Sequence, residues 1–344
     1  MTLRQPRAFI IANGETLNCI SVDVQMSKTH KSDTFHCEIP FGALPADMDE
    51  GWWSEQSDIA VQVQFQTDAI SGAVQVFDGK VDKVGHNFDQ RILSVQGRDK
   101  AAALIDSKSS EKFNNLTPDQ IVKQIAGRHG INVDADSLPS KGGKIFQLDY
   151  AKLTNDESEW TVITQLADMN GMVAYMTGGI LYFKAVDEQL PVLDVVYSPP
   201  TAASYASGNF MTLKTSRNVI LGRPVNVKVQ SWNHKEKKAY EYGASEPTGS
   251  GEPLNYNYEV PGLTGDQTQR LAEKRLAENT SHELMFDLTM PGDPTVTPRF
   301  DMRLSGTGTA YDQQHDITTI EHSMSQSGGY RMTVSAKSKS KKRK

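Results

Sequence analysis

The chain has 344 residues, 38% of them hydrophobic and 23% charged. That balance fits an ordered globular protein of roughly two to four domains and excludes a disordered or collagen-like chain. Net charge is −6, and because 337–344 holds six basic side chains the rest carries 30 basic against 42 acidic residues. Such a body is poorly suited to holding duplex DNA, whose affinity for proteins comes largely from neutralised phosphates.

No apolar run approaches the roughly 18–20 residues that span a bilayer. The short apolar stretch at 8–12 lacks the h-region of a signal peptide, so the expectation is a protein made and kept in a cytoplasm. The two cysteines, Cys19 and Cys37, form no CxxC pair and fall in strand-like segments. They are expected to be free, buried thiols.

The first hundred residues read as β. Short strands are expected at 9–11, 17–26 and 34–39. Residues 58–67 alternate, with Ile59, Val61, Val63 and Phe65 on one face. Further strands are expected at 73–77, 79–84 and 91–96, with a hairpin turn at 87–90. Short strands at even spacing suggest a barrel or sandwich. The texture changes near Ser107. Thr117-Pro118-Asp119-Gln120 is a capping box with Pro at the first helical position, predicting a helix to about His129 capped by Gly130. A second helix start is expected at Thr154-Asn155-Asp156-Glu157, ending at Gly171. A hairpin then turns at Thr177-Gly178-Gly179. This makes a small α/β module.

The β pattern returns at 210–213 and at 224–232, where Val225, Val227 and Val229 alternate. Residues 235–258, polar and rich in Gly, Ser and Pro, read as a long loop. Thr264-Gly265-Asp266-Gln267 is a third capping box opening a helix to about Asn279. Strands resume at 283–289 and continue to Val334, and the basic end 337–344 is expected to be disordered.

One internal correspondence organises the chain. Val81-x-x-Val84-x-His86 matches Ile317-x-x-Ile320-x-His322, and each is followed by a turn and a strand, the second loop being three residues longer. The strand at 58–65 likewise resembles 223–230. Both halves are therefore expected to hold the same β-barrel with an α/β module between them. The expected fold is mainly β with an α+β insert: two tube-type antiparallel barrels, a small α/β module and a loop-helix excursion. The boundaries are 1–107 for the first barrel, 108–206 for the insert, 207–240 with 284–336 for the second barrel, 241–283 for the excursion and 337–344 for the tail.

Catalytic patterns are missing. There is no Gly-x-Ser-x-Gly elbow, Gly306-Thr307-Gly308 lacks a third glycine, His282-Glu283 has no second histidine at zincin spacing, and Asp47-x-Asp49-x-Gly51 is too short for a calcium loop. No catalytic, cofactor or metal residue is assigned. His86 and His322 read as paired barrel-rim residues. Trp52-Trp53 is either a loop anchor on the first barrel or part of a subunit contact.

The run Ser94-Val95-Gln96-Gly97-Arg98-Asp99-Lys100 with Leu104-Ile105-Asp106-Ser107, the helix ending Gly130-Ile131-Asn132-Val133, and the closing Met290-Pro291-Gly292-Asp293-Pro294 and Gly329-Tyr330 resemble the contractile-phage baseplate hub family. That family includes late control protein D, the Mu-type and T4-type hubs and the hub part of type VI secretion spikes. The resemblance covers nearly the whole chain in the order of its parts. It implies a non-enzymatic homotrimer in the virion's tail baseplate, assembled in the host cytoplasm. Two barrels per copy would give a pseudo-sixfold ring joining a sixfold tail tube to a threefold spike. The implied partners are the tail tube protein, a separate central spike protein, other baseplate proteins and the tape measure protein, with DNA only in passage and no membrane insertion. Ile59, Val61 and Val63, and Val225, Val227 and Val229, are expected to mark strand edges that pair between subunits, with Trp52 and Trp53 as a contact loop. The competing reading is a wall-degrading or cell-wall (glycan) binding tail module, with the α/β segment as the binding part.

Overall fold

The structure, a computed structural model, describes residues 6–339 except 29–30, 69, 109–112, 114–115, 139–156, 188, 220–221, 235, 248–250 and 281–283. Alternating apolar residues build the first half. Its strands are β1 (Arg7–Ala12), β2 (Glu15–Leu17), β3 (Ser21–Ser27), β4 (Thr34–Pro40), β5 (Ala60–Gln66), β6 (Val74–Asn87) and β7 (Ile92–Asp99). Helix α1 (Glu50–Glu55) lies between β4 and β5. The strands pair in the order β2-β1-β5-β6-β7-β4-β3, all antiparallel. Val22, Val24, Phe35, Cys37, Ile39, Val61, Val63, Phe65, Leu93 and Val95 point into one core. Period-2 alternation puts every second side chain on that face.

The α/β module follows. Helices α2 (Ala101–Asp106), α3 (Pro118–Arg128) and α4 (Glu159–Asn170) cover a sheet of β8 (Asn132–Ala135), β9 (Met172–Thr177) and β10 (Ile180–Ala185). Strand β10 is central, parallel to β8 and antiparallel to β9. The Thr117 capping box forms as expected. The α4 helix begins later than expected, capped by Ser158, and Thr154, Asn155 and Asp156 lie outside the described residues.

Strands β11 (Val192–Ser198), β12 (Ser207–Gly208) and β13 (Thr212–Arg217) open the second half. A separate layer then intervenes: β14 (Val225–Asn233), β15 (Lys238–Glu246) and β16 (Leu254–Glu259), covered by helix α5 (Gly265–Thr280). Thr264 and Gln267 exchange the two bonds of a capping box at its start. The second half is completed by β17 (Leu284–Pro291), β18 (Asp301–Ser305), β19 (Gln314–Ser325) and β20 (Gly329–Ser338).

The two halves repeat strand for strand. β1-β2-β3-β4-β5-β6-β7 corresponds in chain order to β11-β12-β13-β17-β18-β19-β20. The pairs β1·β2, β3·β4, β4·β7, β5·β6 and β6·β7 recur as β11·β12, β13·β17, β17·β20, β18·β19 and β19·β20, all antiparallel. The β6·β7 ladder slips between Val81 and Lys83, and β19·β20 slips at the matching place, between Ile317 and Thr319. A bulge bends and twists its strand, so both hairpins curl alike. Following the ladders, Phe35 falls on Phe286, Ile39 on Met290, Pro40 on Pro291 and Val95 on Val334. One pairing differs: β1·β5 is antiparallel and β11·β18 parallel. Among the described residues the hydrogen-bonded path ends at β2 and β12 and does not close within either half.

Three sequence expectations need correction. The strand carrying Val225, Val227 and Val229 is not part of the second barrel; the counterpart of β5 is β18. The stretch 235–258, expected to be a loop, contributes β15 and β16. Strand β11, expected within the insert, pairs with β18 in the second half. At the end of the chain Lys337 sits in β20 opposite Met285, while 340–344 lie outside the described residues.

Candidate assembly surface

The residues expected at open edges lie inside sheets. Val61 and Val63 sit on β5, which is paired on both sides by β1 and β6, and Ile59, just before it, is buried with them in the first core. Val225, Val227 and Val229 sit on β14, the central strand between β15 and β16, buried against Leu263 and Ala272. Neither set offers a free backbone edge, because β5 and β14 are each paired on both sides. Trp53 is 2% exposed in the first core and Trp52 packs against it edge-on, with ring centroids 5.2 Å apart. Asp49 caps their short helix by accepting from the Trp52 amide. Trp53 is therefore an anchor, leaving Trp52 half-buried at the surface.

The halves meet along β3 and β19. Residues 319–325 of β19 pair antiparallel with 27–21 of β3, joining both halves into one sheet. The ladder is extended by Lys28 N–H to Thr318 O (3.0 Å) and Gln326 N–H to Ile20 O (3.3 Å). Lys28 also forms an ion pair with Asp316. Behind the ladder, Phe65 of the first half stacks on Tyr330 of the second, with centroids 4.6 Å apart and planes 10° from parallel. The Tyr330 hydroxyl donates to His322 Nδ1 at 2.9 Å, and His322 Nε2–H donates to Val296 O at 3.3 Å. Burial holds the His322 imidazole neutral, lowering its pKa to about 4.

His86 makes the matching contact in the first half, its Nε2–H donating to Glu50 O at 3.1 Å. Each histidine thus ties its long hairpin to the segment between the fourth and fifth strands of its half. The rim reading is corrected for His322, which is fully buried at the junction, while His86 is half-buried.

Several other buried ionisable groups make contacts that hold segments together. Asp33 is pushed up to about 8 by burial and by Asp99, and burial raises Asp99 to about 6. Asp33 accepts from the Ser27 amide at 2.8 Å and Asp99 from the Ala101 amide at 3.1 Å. Together they fix the β3–β4 loop against the start of the module. Glu159 is clasped by Arg128 and His129 inside the module, and Lys339 pairs with Asp301. Among the described residues no three His, Cys, Asp or Glu side chains are grouped to hold a metal, and both cysteines are free thiols. His282 and Glu283 lie outside the described residues.

The family model described as phage tail baseplate hub (GPD) matches residues 55–328. A tail protein from Neisseria meningitidis MC58 has the same fold, with a TM-score of 0.72, 16% identity, and 97% of each chain covered. The 43 kDa tail protein of prophage MuSo2 from Shewanella oneidensis gives 0.66 at 17% identity, covering 96% of this chain and 97% of that one. An E. coli component of the type VI secretion system, described as similar to the T4 bacteriophage tail proteins gp27 and gp5, gives 0.56 at 12% identity, over 96% of this chain and 77% of its own. No curated protein sequence matches.

Proposed function

Because the chain belongs to the phage tail baseplate hub family, we propose that three copies close into a ring of six like units that joins a sixfold tail tube to a threefold central spike and lets DNA pass. The observation that carries this reading is the strand-for-strand repeat, including the matched bulges and the matched histidine contacts. A threefold trimer of a duplicated unit offers six near-equivalent surfaces. The α/β module and the β14–β16 layer occur once per chain, so they break that equivalence back to threefold. They are the natural docking points for the spike and other baseplate proteins, while the repeated halves face the tail tube protein and the tape measure protein. The excess of acidic over basic residues supports a ring that DNA crosses without sticking. The complex is assembled in the host cytoplasm and resides in the tail baseplate. The role is structural, that of a scaffold joining the parts of the tail.

Light scattering on the purified chain, alone and with the spike protein, tests this. A trimer, or a monomer that trimerises when the spike is added, is the expected result. A monomer indifferent to the spike overturns the ring.

A further inference from the structure

The repeat has two kinds of seam and the chain satisfies only one of them internally. Within the chain, β19 of the second half pairs with β3 of the first. The counterpart of β19 is β6 and the counterpart of β3 is β13. The same seam, formed once more, therefore joins β6 to β13. Within one chain those two strands are not paired with each other.

Among the described strands, none forms a ladder on either of these two edges. The β5 ladder covers β6 only as far as Lys80, so the bulged end beyond Asp82 has β7 on one side alone. In β19 the corresponding stretch is the part that β3 occupies. A cleft lined by Trp53, Gln56, Lys83 and Val84 runs beside that free edge. Strand β13 pairs only with β17 among the described residues, and five of its six side chains are exposed. The large hydrophobics left in water include Phe88 at 72%, Met211 at 59% and Val219 at 73%. These three stand at the ends of the two open edges.

We infer that residues 212–218, containing β13, pair antiparallel with residues 83–89 of β6 and its turn in a second copy of this chain, in the register of the internal junction. This rests on the ring reading above and supplies its subunit contact. Carrying the ladder across sets Gly85 opposite Ser216, His86 opposite Thr215, Asn87 opposite Lys214 and Phe88 opposite Leu213. The internal equivalents are Glu321–Gln25, His322–Val24, Ser323–Asp23 and Met324–Val22. No facing pair carries like charges, and Phe88 gains an apolar neighbour in half-buried Leu213. Main-chain hydrogen bonds supply the adhesion, as in other strand additions to an open sheet edge.

The test is a cross-strand cysteine pair in a Cys19→Ser background. Gly85→Cys with Ser216→Cys is suitable, because a Cβ at Gly85 meets nothing closer than the Ser94 Cβ at 3.8 Å. Asn87→Cys with Lys214→Cys tests the same register two residues along and guards against one pair misfolding. Gly85→Cys with Thr212→Cys is the off-register control. Mass is read by light scattering, with spike protein present, and linkage by oxidation and a non-reducing gel. The expected result is a trimer that becomes covalently linked up to trimer mass with the first two pairs and not with the control. A trimer that links only off register, or with none of the pairs, overturns the seam and leaves the ring standing. A monomer overturns the ring and the seam together.

Discussion

Removal of the Phe65 ring probes how the halves are coupled. Phe65 is fully buried in the first core and stacks on Tyr330 of the second half. Truncating a buried Phe to Ala costs about 3–5 kcal/mol, of which the aromatic pair supplies about 0.5–1.5 kcal/mol. Phe77, 2% exposed and packed on Phe35 within the first core, is a control of the same size. Phe65→Ala and Phe77→Ala should lower first-half stability by similar amounts, read from hydrogen exchange of the β4 and β7 amides. They should differ in the second half. Hydrogen exchange of β19 and β20 amides should quicken in Phe65→Ala, because the Tyr330–His322 arm loses its support, and stay near the parent rate in Phe77→Ala. Equal exchange in both variants would refute the claim that the stack couples the halves.

Three further outcomes follow from particular groups. Asp33 has a raised pKa, about 8 against 3.8, so the folded state holds a proton there that the unfolded chain gives up; this stabilisation is complete below about pH 4 and fades as pH rises through 8. Asp33→Asn should flatten that part of the stability profile in denaturant titrations at several pH values, and an unchanged slope would rule the group out. His322, lowered to about 4, contributes the opposite slope, present above pH 6.5 and lost as pH falls towards 4; Tyr330→Phe should cost about 1–3 kcal/mol by orphaning Nδ1, measured by chemical denaturation. Gly97→Ala should fail to fold or lose several kcal/mol in a thermal melt, since its Cβ would lie 2.0 Å from Lys80 O and 2.7 Å from the Phe35 ring; a parent-like melt would show that β6 and β7 can part there.

The repeat was legible where it is local. Val81, Val84 and His86 recur as Ile317, Ile320 and His322 because one hairpin with one bulge needs the same spacing twice. It was illegible where insertions intervene. Phe35 and Phe286 are equivalent, yet β3 ends at Ser27 and β4 begins at Thr34, while β13 and β17 are separated by the whole β14–β16 layer and α5. Val225, Val227 and Val229 show the limit of period-2 reasoning: alternation marks a strand with one buried face and carries no information about its partner. The strands β15 and β16 were hidden by composition. Tyr240, Tyr242, Tyr256 and Tyr258 alternate there, but polar neighbours and flanking Gly, Ser and Pro give a loop-like average. The capping boxes at Thr117 and Thr264 were readable because a cap is satisfied within four residues.

The internal junction and the proposed seam differ in one informative way. Inside the chain the inward-facing pairs are Ile320 with Met26 and His322 with Val24, all nearly or wholly buried. In the seam the equivalent pairs are Val84 with Arg217 and His86 with Thr215, and Lys83 and Lys214 flank them on the other face. A junction that forms as the chain folds can be apolar throughout, since it is never exposed in a finished monomer. An edge that waits in solution for a second copy cannot, because an apolar open edge pairs with any strand it meets. Lysine and arginine on such an edge slow indiscriminate pairing while leaving the backbone free to join a partner of matching register. Divergence between two otherwise matched strands is therefore concentrated where one copy of the seam is intramolecular and the other is not. On this argument Arg217→Met, which restores the internal residue type, should strengthen the trimer and make the isolated chain aggregate sooner. Both effects are read in one light-scattering titration over concentration, and a variant with parent-like mass and solubility would show that Arg217 does not guard the edge.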